Sequence, residues 1–196
     1  ALPVLAAVAG GVADGVLAAL LRGREIARAY VNNRGDIALH LAPGESFKTG
    51  LVTLGDEPAL GVYTRISGAS AVRGIATSGW RGRSQSLGIA DSVTVLAQTA
   101  AAADVAATLI ANAVDTRDDA IERVAARHMD ADSDLGGRLV TVAVGALSPE
   151  AVAVALGRGC DTARSMVDRG LIEGAHLTLK SRSRVVGASK LLEKVA

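Results

Sequence analysis

The order of apolar and polar positions along the chain predicts alternating helices and strands. Residues 3–21 are almost continuously apolar and Arg22-Gly23 follows them, so this segment is predicted to be a helix that stops there. The apolar stretches that come next are short, and residues typical of turns separate them, which indicates strands and hairpins. The clearest hairpin crosses Asn32-Asn33-Arg34-Gly35-Asp36. Strands are predicted at residues 29–31, 37–41, 49–54, 61–66, 72–77 and 92–97.

Two further helices are predicted from their capping residues. Thr99 carries a hydroxyl that can cap a helix predicted to run to about residue 113. Ser148 followed by Pro149 is typical of a helix start, because serine caps the end and proline fits the first position. That helix is predicted to end at residue 158 or to continue to residue 169.

The remaining segments complete an α+β order with several hairpins. A helix is predicted at residues 118–128, a polar loop at 130–137 and a strand at 139–147. Residues 175–184 alternate like a strand, which residues 185–186 extend. Because no linker divides the chain and no repeat is evident, we expect one domain that spans residues 1–196.

Composition indicates a globular domain with a core of small side chains. Hydrophobic residues make up 49% of the 196 residues and aromatic residues only 2%, so Ala, Val, Leu and Ile must fill the core. The net charge of +1 argues against an extended nucleic-acid surface, and the scarcity of rings argues against a stacking platform for single strands. We therefore expect no nucleic-acid partner.

The cysteine content and the apolar N-terminal segment indicate in which cellular compartment the protein is expected. The single cysteine, Cys160, excludes an intrachain disulfide and a cysteine metal cluster, which fits a reducing compartment such as the cytoplasm. Residues 2–21 lack a basic N-terminal flank, and Asp14 interrupts them. These features favour a packed helix over a membrane span or a signal sequence.

A candidate metal site lies on the helix that follows Thr99. Asp104 and Thr108 are four residues apart, so they share one face of that helix, and their neighbours are small. A carboxylate and a hydroxyl are suitable oxygen ligands for Mg²⁺, which commonly bridges to substrate phosphates. Alternatively, Asp104 is an acid favoured by the helix dipole near the N-terminus and Thr108 is a packed hydroxyl.

A glycine- and arginine-bearing loop at residues 78–84 is a candidate anion site. Guanidinium groups of Arg81 and Arg83 suit phosphate or carboxylate, although an exposed, solvated basic turn explains them equally well. Trp80 either stacks on a planar ligand or packs on the loop. Asp36 either orients a ribose or stabilises the turn that precedes it.

Four short motifs stand in fixed order along residues 11–108. They are Gly-x-Ala-x-Gly at 11–15, Val-Asn-x-x-Gly-Asp-Ile at 31–37, Ala-Thr-Ser-Gly at 76–79, and Ser-Val-Thr-Val at 92–95 followed by Ala103-Asp104 and Thr108. The ordered set resembles the flavin transferases of the ApbE family. Residues 6–10, 82–91 and 171–175 resemble a subgroup of ApbE-like proteins, which extends the resemblance over nearly the whole chain. It implies an ApbE-like domain of packed helices and mostly antiparallel strands that lacks an upstream N-terminal segment.

The resemblance also implies a cofactor and a set of site residues. Transferases of this family use FAD, with Mg²⁺ on the pyrophosphate, and move FMN to a Thr or Ser hydroxyl of a partner protein. The implied metal ligands are Asp104, Thr108 and a backbone carbonyl near Ala13. The residues implied to contact FAD or FMN are Thr77, Ser78, Gly79, Arg81, Arg83, Ser84 and Asp36.

This sequence departs from the transferases where they carry His-x-Ile-Asp-Pro-x-Thr-Gly. Trp-Arg-Gly-Arg-Ser-Gln-Ser stands at 80–86 instead, and none of His40, His128 and His176 lies there. Asp14 and Arg34 replace a lysine and a glycine of the other motifs. Because arginine stays protonated, it cannot replace a catalytic histidine base. The catalytic residues are therefore unassigned.

Three functions remain open from the sequence. The first is a metal-dependent enzyme acting on a flavin nucleotide, by transfer or hydrolysis. The second is a non-catalytic module that binds a flavin or another small anionic ligand. The third is a structural or assembly protein whose apolar first helix joins subunits into a homo-oligomer.

Overall fold

The chain folds as the α+β protein that the pattern predicted, with mostly antiparallel strands. The computed structural model describes residues 6–53, 59–82, 85–187 and 192–194. The helices are α1 (Val8–Leu21), α2 (Ala100–Ala113), α3 (Ala126–Met129) and α4 (Pro149–Asp168). The strands are β1 (Arg28–Asn33), β2 (Asp36–Leu41), β3 (Ser46–Thr53), β4 (Ala59–Ser67), β5 (Gly74–Ser78), β6 (Ser92–Ala97), β7 (Ile121–Ala125), β8 (Leu139–Val144), β9 (Gly174–Leu179), β10 (Arg182–Gly187) and β11 (Leu192–Lys194).

A six-stranded sheet organises the fold. Its strand order is β1-β2-β5-β6-β9-β10, and every neighbouring pair is antiparallel. β6 lies near the middle and is buried along its whole length. A strand that is covered on both faces has a nearly continuous apolar sequence, and this is why residues 92–97 could be predicted to form a strand. Smaller antiparallel sheets are formed by β11-β4-β3 and by β7-β8.

The main core lies between one face of this sheet and the helices α2 and α4. Val93 and Val95 of β6 and Leu177 of β9 are fully buried there. The helices contribute mostly alanine, together with Ile110 of α2 and Leu156 of α4. Small side chains let the helix backbones come close to the sheet, which compensates for the scarcity of aromatic residues in the core.

A smaller core covers part of the opposite face of the sheet. Leu96 alternates with Val93 and Val95 along β6, so it points to this second face. It packs with Ile75 of β5 and with Ile66 and Phe47 of the β3–β4 hairpin. The three-stranded sheet is therefore attached to the central sheet by apolar contacts.

Helix α1 lies over the β1–β2 edge of the sheet and against α2. Ala13 and Leu17 are buried with Ala38 of β2 and Ala100 of α2. At the crossing point, a Cβ added to Gly10 would lie only 2.4 Å from the carbonyl oxygen of Ala100. The two helices can approach this closely only because residue 10 has no side chain.

Several local predictions are confirmed by the structure. The β1–β2 hairpin turns at Arg34 and Gly35, both with positive φ (59° and 114°), as in a two-residue hairpin turn. The hydroxyl of Thr99 accepts a hydrogen bond from the amide of Ala102, and that of Ser148 accepts one from Ala151. α4 runs on to Asp168, the longer of the two predicted alternatives.

Two predicted elements are wrong. Residues 118–128 do not form a helix; they hold β7 and the start of the short helix α3, because β7 pairs with β8 from Ile121–Val144 to Ala125–Leu139. The predicted strand at 175–186 is a hairpin of β9 and β10. The turn between them contains Lys180 at φ 54°. Glycine or asparagine usually occupies this conformation, so the sequence carried no turn signal here. Residues 3–5 of the predicted first helix lie outside the described residues.

Within the described part of the chain, no helix is both long and apolar enough to cross a membrane.

We expect Gly10→Ala to lower the free energy of unfolding by about 1–3 kcal/mol, because the new methyl group would overlap the backbone of α2. Gly157→Ala in α4 is the matched control, since its added Cβ meets nothing within 4 Å. That change should raise stability by about 0.5–1 kcal/mol, the usual gain for alanine within a helix. Chemical denaturation of both variants measures the difference, and equal effects would contradict the close approach of α1 and α2.

Candidate functional site

A cavity of about 680 Å³ lies between the N-terminal end of α1, the start of β2, one face of α2 and the loop after α3. Its volume is in the range typical of small-ligand sites. Its polar lining consists of Asp36, Gln85, Asp104, Thr108, Asn112, Asp130, Asp132, Ser133 and Asp134. Five of these side chains are carboxylates, and none of the described lining residues is Lys, Arg or His. The cavity is therefore strongly acidic.

Reciprocal hydrogen bonds between α1 and α2 position Asp104. Its Oδ2 accepts a hydrogen bond of 3.0 Å from the backbone amide of Gly10. In the other direction, the carboxylate of Asp14 accepts hydrogen bonds from the amides of Ala100 (3.0 Å) and Ala101 (2.9 Å). Asp14 therefore caps the N-terminus of α2, where the helix dipole also favours a negative charge.

The β1–β2 turn places Asp36 beside Asp104. The side-chain oxygen of Asn32 accepts a hydrogen bond from the amide of Gly35 (2.8 Å), which stabilises the turn. The side chain of Asn33 donates to the carbonyl oxygen of Ala9 (3.0 Å), which ties the turn to α1. Because these contacts join the hairpin to the helix, Asp36 faces the same cavity as Asp104.

The two carboxyl groups share an environment that disfavours their ionisation. Burial raises the pKa of Asp36 to about 7, and the nearby Asp104 carboxylate adds to this shift. Burial also raises the pKa of Asp104, while the hydrogen bond from Gly10 opposes that rise. A cation in the cavity would reverse both effects, since it would attract the charge that the two carboxylates now crowd together.

Asp104 and Thr108 follow each other along the cavity-facing side of α2. Carboxylate and hydroxyl oxygens are the donors that a hard divalent cation prefers, so the lining fits Mg²⁺ chemically. Ala13 is fully buried against Leu17, Ala38 and Ala100, and it is not part of the lining. In the described residues, no group of three or more His, Cys, Asp or Glu side chains is arranged to hold a metal ion. A bound metal would therefore need hydroxyl, water or ligand oxygens as well as carboxylates.

The Ala-Thr-Ser-Gly segment and Arg81 lie apart from the cavity lining. The hydroxyl of Thr77 is 2.8 Å from that of Thr94 on the neighbouring strand. Gly79 packs so tightly that an added Cβ would lie 2.5 Å from the carbonyl oxygen of Asp91. None of Thr77, Ser78, Gly79 and Arg81 lines the cavity. Arg83 and Ser84 lie outside the described residues, two positions and one position before Gln85, which does line it.

The buried carboxylate of Asp91 anchors this loop. It accepts hydrogen bonds from the indole of Trp80 (3.1 Å), from Nε of Arg81 (2.9 Å) and from the amide of Lys180. The guanidinium carbon of Arg81 also lies 4.9 Å from the centre of the Trp80 ring. Asp91 therefore compensates the charge of Arg81 within the protein, and Trp80 packs against the main core.

The acidic loop after α3 was not recognised as part of a site from the sequence. Asp130, Asp132 and Asp134 alternate within residues 130–137, which the sequence indicated only as a polar loop. The loop reaches the cavity because the hydroxyl of Ser133 donates to Oε1 of Gln85 (2.6 Å), and Nε2 of Gln85 donates to the carbonyl of Ala126 (3.2 Å). The alternating aspartates were the only signal available in the sequence.

The histidines and the cysteine lie elsewhere. His176 is buried on β9 beside Thr94, and this burial lowers its pKa, which favours the neutral ring. His40 is 2.9 Å from the carbonyl oxygen of Ile26 through Nε2. Cys160 is buried in the main core, where desolvation raises the pKa of its thiol. None of these side chains lines the cavity.

Comparison with known proteins identifies the family. A family model described as AbpE bacteria matches residues 3–190, which is nearly the whole chain. The chain belongs to this family. A search of curated proteins found no match.

We expect Asp36→Asn to stabilise the protein at pH 8 and to stabilise it much less at pH 5. The folded state raises the pKa of Asp36 from 3.8 to about 7, so it binds the proton more tightly than the unfolded state does. The stability from this group is complete below pH 3.8 and is lost as the pH rises through about 7. Thermal melts at both pH values measure the effect, with Asp161→Asn on the exposed side of α4 as control. A gain that is equal at both pH values would contradict the raised pKa.

We expect Asp91→Ala to lower the free energy of unfolding by about 3 kcal/mol, because it removes the buried acceptor of three hydrogen bonds, from the Trp80 indole, Nε of Arg81 and the Lys180 amide. Asp161→Ala removes the exposed ion pair with Arg164 and should change stability by no more than about 0.5 kcal/mol. Urea denaturation of both variants makes the comparison. A small effect of Asp91→Ala would show that this carboxylate is not the anchor of the loop.

Proposed function

We propose that this chain is an ApbE-like protein that binds a flavin nucleotide, FAD or FMN, together with Mg²⁺ in the acidic cavity. The observation that carries the proposal is that Asp104 and Thr108 line one cavity together with Asp36. Membership of the AbpE bacteria family and the ordered motifs support the same relation. Two of the three metal ligands implied by the resemblance thus face a space large enough for part of a nucleotide.

The charge of the cavity explains why a metal would be required. A pyrophosphate would be repelled by the ionised aspartates of the lining, which no described cationic lining residue balances. A divalent cation held by Asp104 and Thr108 would offset the acids and would offer positive charge to the phosphates. In this arrangement Mg²⁺ binds first, or together with the nucleotide, and the affinity for the nucleotide depends on it.

The side chains of the cavity would have different roles in this proposal. Asp104 and Thr108 would hold the cation, and the amide of Gly10 would keep the Asp104 carboxylate oriented. Asp36 would contribute its charge from β2 once the cation has lowered its pKa. The metal, when bound, would supply electrostatic stabilisation of phosphoryl transfer, in which positioning and charge neutralisation do most of the catalysis.

Binding without transfer is the second candidate function. It is favoured by one observation, namely that no histidine or lysine occurs among the described lining residues. Arg81, which occupies the segment where the transferases carry their histidine, is paired with Asp91. The two candidates differ in product: transfer or hydrolysis releases AMP from FAD, whereas simple binding leaves FAD intact.

We expect FAD to bind in the presence of Mg²⁺ and at least about tenfold more weakly with EDTA, because the uncompensated acids repel the phosphates. Asp104→Asn should remove this Mg²⁺ dependence, while the control Asp161→Asn should retain it. Calorimetry measures the affinity, and circular dichroism checks that both variants are folded. Equal affinity with Mg²⁺ and with EDTA would refute the proposal. Chromatography of the same mixtures for AMP separates the catalytic candidate from the binding candidate.

A further inference from the structure

Helix α1 carries a second apolar face that points away from the protein. Its inner face is formed by Gly10, Ala13 and Leu17, which are buried. On the outer face, Val8, Val12, Val16 and Leu20 are spaced four residues apart and are 54%, 51%, 50% and 42% exposed. We call these four residues the α1 stripe. A helix that is apolar on both faces is normally covered on both, so the α1 stripe indicates an interaction surface.

No charged side chain interrupts the α1 stripe. The one charged residue of α1, Asp14, is turned toward α2, where it caps the amides of Ala100 and Ala101. The exposed positions between the stripe residues are Gly11, Gly15, Ala18 and Ala19, which add no bulk. A partner must therefore present an uncharged, apolar surface of matching length.

The two ends of the α1 stripe carry opposite charge. Val8, at the N-terminal end, also lines the cavity that contains five aspartates. Beyond Leu20, at the C-terminal end, the exposed Arg22, Arg24 and Arg28 outnumber the single acid Glu25. Arg24 stays beside the stripe because its guanidinium donates to the carbonyl oxygen of Leu20 (2.7 Å).

We propose that the α1 stripe binds the α1 stripe of a second copy of this chain, with the two helices antiparallel. A two-fold axis through the middle of the helix brings Val8 opposite Leu20 and Val12 opposite Val16, so apolar positions meet apolar positions. The same register brings the partner's Arg22 opposite Ala6, which lines the cavity. The basic C-terminal end of each α1 helix then lies beside the acidic cavity of the other copy. A parallel pair would instead bring like charges together at both ends of the helices.

The arrangement gives the cavity a cationic rim that its described lining lacks. Each copy would place Arg22 and Arg24 at the mouth of the other copy's cavity. The contact rests on the surface and charges of α1 and does not require a bound nucleotide. Four half-exposed aliphatic side chains bury much less than the roughly 800 Å² per partner of a standard interface, so the dimer is weak and reversible.

Sedimentation velocity over a concentration series, without ligand, tests the dimer. We expect a monomer–dimer equilibrium that Val12→Glu weakens by at least about tenfold, because the new carboxylate would be buried against the partner's apolar stripe. Val154→Glu is the matched control, since Val154 is a half-exposed valine on α4, and it should leave association unchanged. Arg22→Glu should weaken association, and added salt should weaken the wild-type dimer. Thermal melts confirm that each variant is folded.

Disulfide cross-linking tests the antiparallel register. In a Cys160→Ala background, Val8→Cys and Leu20→Cys chains are each made separately. Mixed together and oxidised, they should form a heterodimer, whereas neither should cross-link with itself. Two copies of residue 8 would lie about 18 Å apart along an antiparallel pair, given a rise of 1.5 Å per residue.

Four results would overturn the proposal. The first is a chain that remains monomeric across the whole concentration series, and the second is a dimer that Val12→Glu does not weaken. Self-cross-linking of Val8→Cys would overturn the antiparallel arrangement. Co-sedimentation of a monomeric chain with phosphatidylglycerol vesicles, lost in Val12→Glu, would assign the α1 stripe to a lipid surface instead. None of these results depends on whether the cavity binds FAD.

Discussion

The contact between α1 and α2 is the constraint on which the candidate site depends. Gly10 allows the two backbones to approach, since a Cβ there would lie 2.4 Å from the Ala100 carbonyl oxygen. At this distance the amide of Gly10 reaches the Asp104 carboxylate, and the Asp14 carboxylate reaches the first amides of α2. Each helix thereby satisfies polar groups of the other that would otherwise be partly buried without partners. The shape of the cavity and the orientation of Asp104 both follow from this crossing.

The same contact explains the electrostatic character of the site. Helix α1 is held on one side by α2 and on the other by the hydrogen bond from Asn33 to the Ala9 carbonyl oxygen. These attachments hold Asp36 and Asp104 in one cavity, although they come from different elements. Their mutual repulsion and partial burial disfavour two negative charges, and carboxyl groups perturbed in this way are typical of functional sites. A bound cation would remove this cost, which agrees with the metal proposed from the cavity lining.

Local signals in the sequence predicted most of the fold and only part of the site. The Thr99 cap, the Ser148-Pro149 start and the Arg34-Gly35 turn are interactions between near neighbours, so the sequence contains both partners within a few positions. β7 was mistaken for a helix because its strand pairing depends on β8, which lies about a dozen residues further on. Pairing between segments that are distant along the chain can override a local helical pattern.

The sequence likewise indicated some residues of the candidate site and missed others. The sequence indicated Asp104 and Thr108 because helical spacing alone puts them on one face. The aspartates of residues 130–134 could not be found in this way, because their loop reaches the cavity through a hydrogen bond between Ser133 and Gln85, which are far apart in the chain. The charge of Arg81 suggested an anion site, but its partner Asp91 lies ten positions later and is fully buried. Spacing can indicate which residues share a face, but it cannot show where a compensating charge will be placed.

Asp14 shows how a motif can keep its position and change its role. The resemblance to the transferases implies a lysine at this position, and a lysine there would bring a positive charge toward the N-terminus of α2, where the helix dipole opposes it. The aspartate instead accepts hydrogen bonds from the first two amides of the helix. The substitution thus exchanges a cation near the cavity for a cap that strengthens the α1–α2 crossing. The proposed nucleotide would therefore need positive charge from a metal, from residues outside the described lining, or from another subunit, and the proposed α1 dimer would supply the last of these through Arg22 and Arg24.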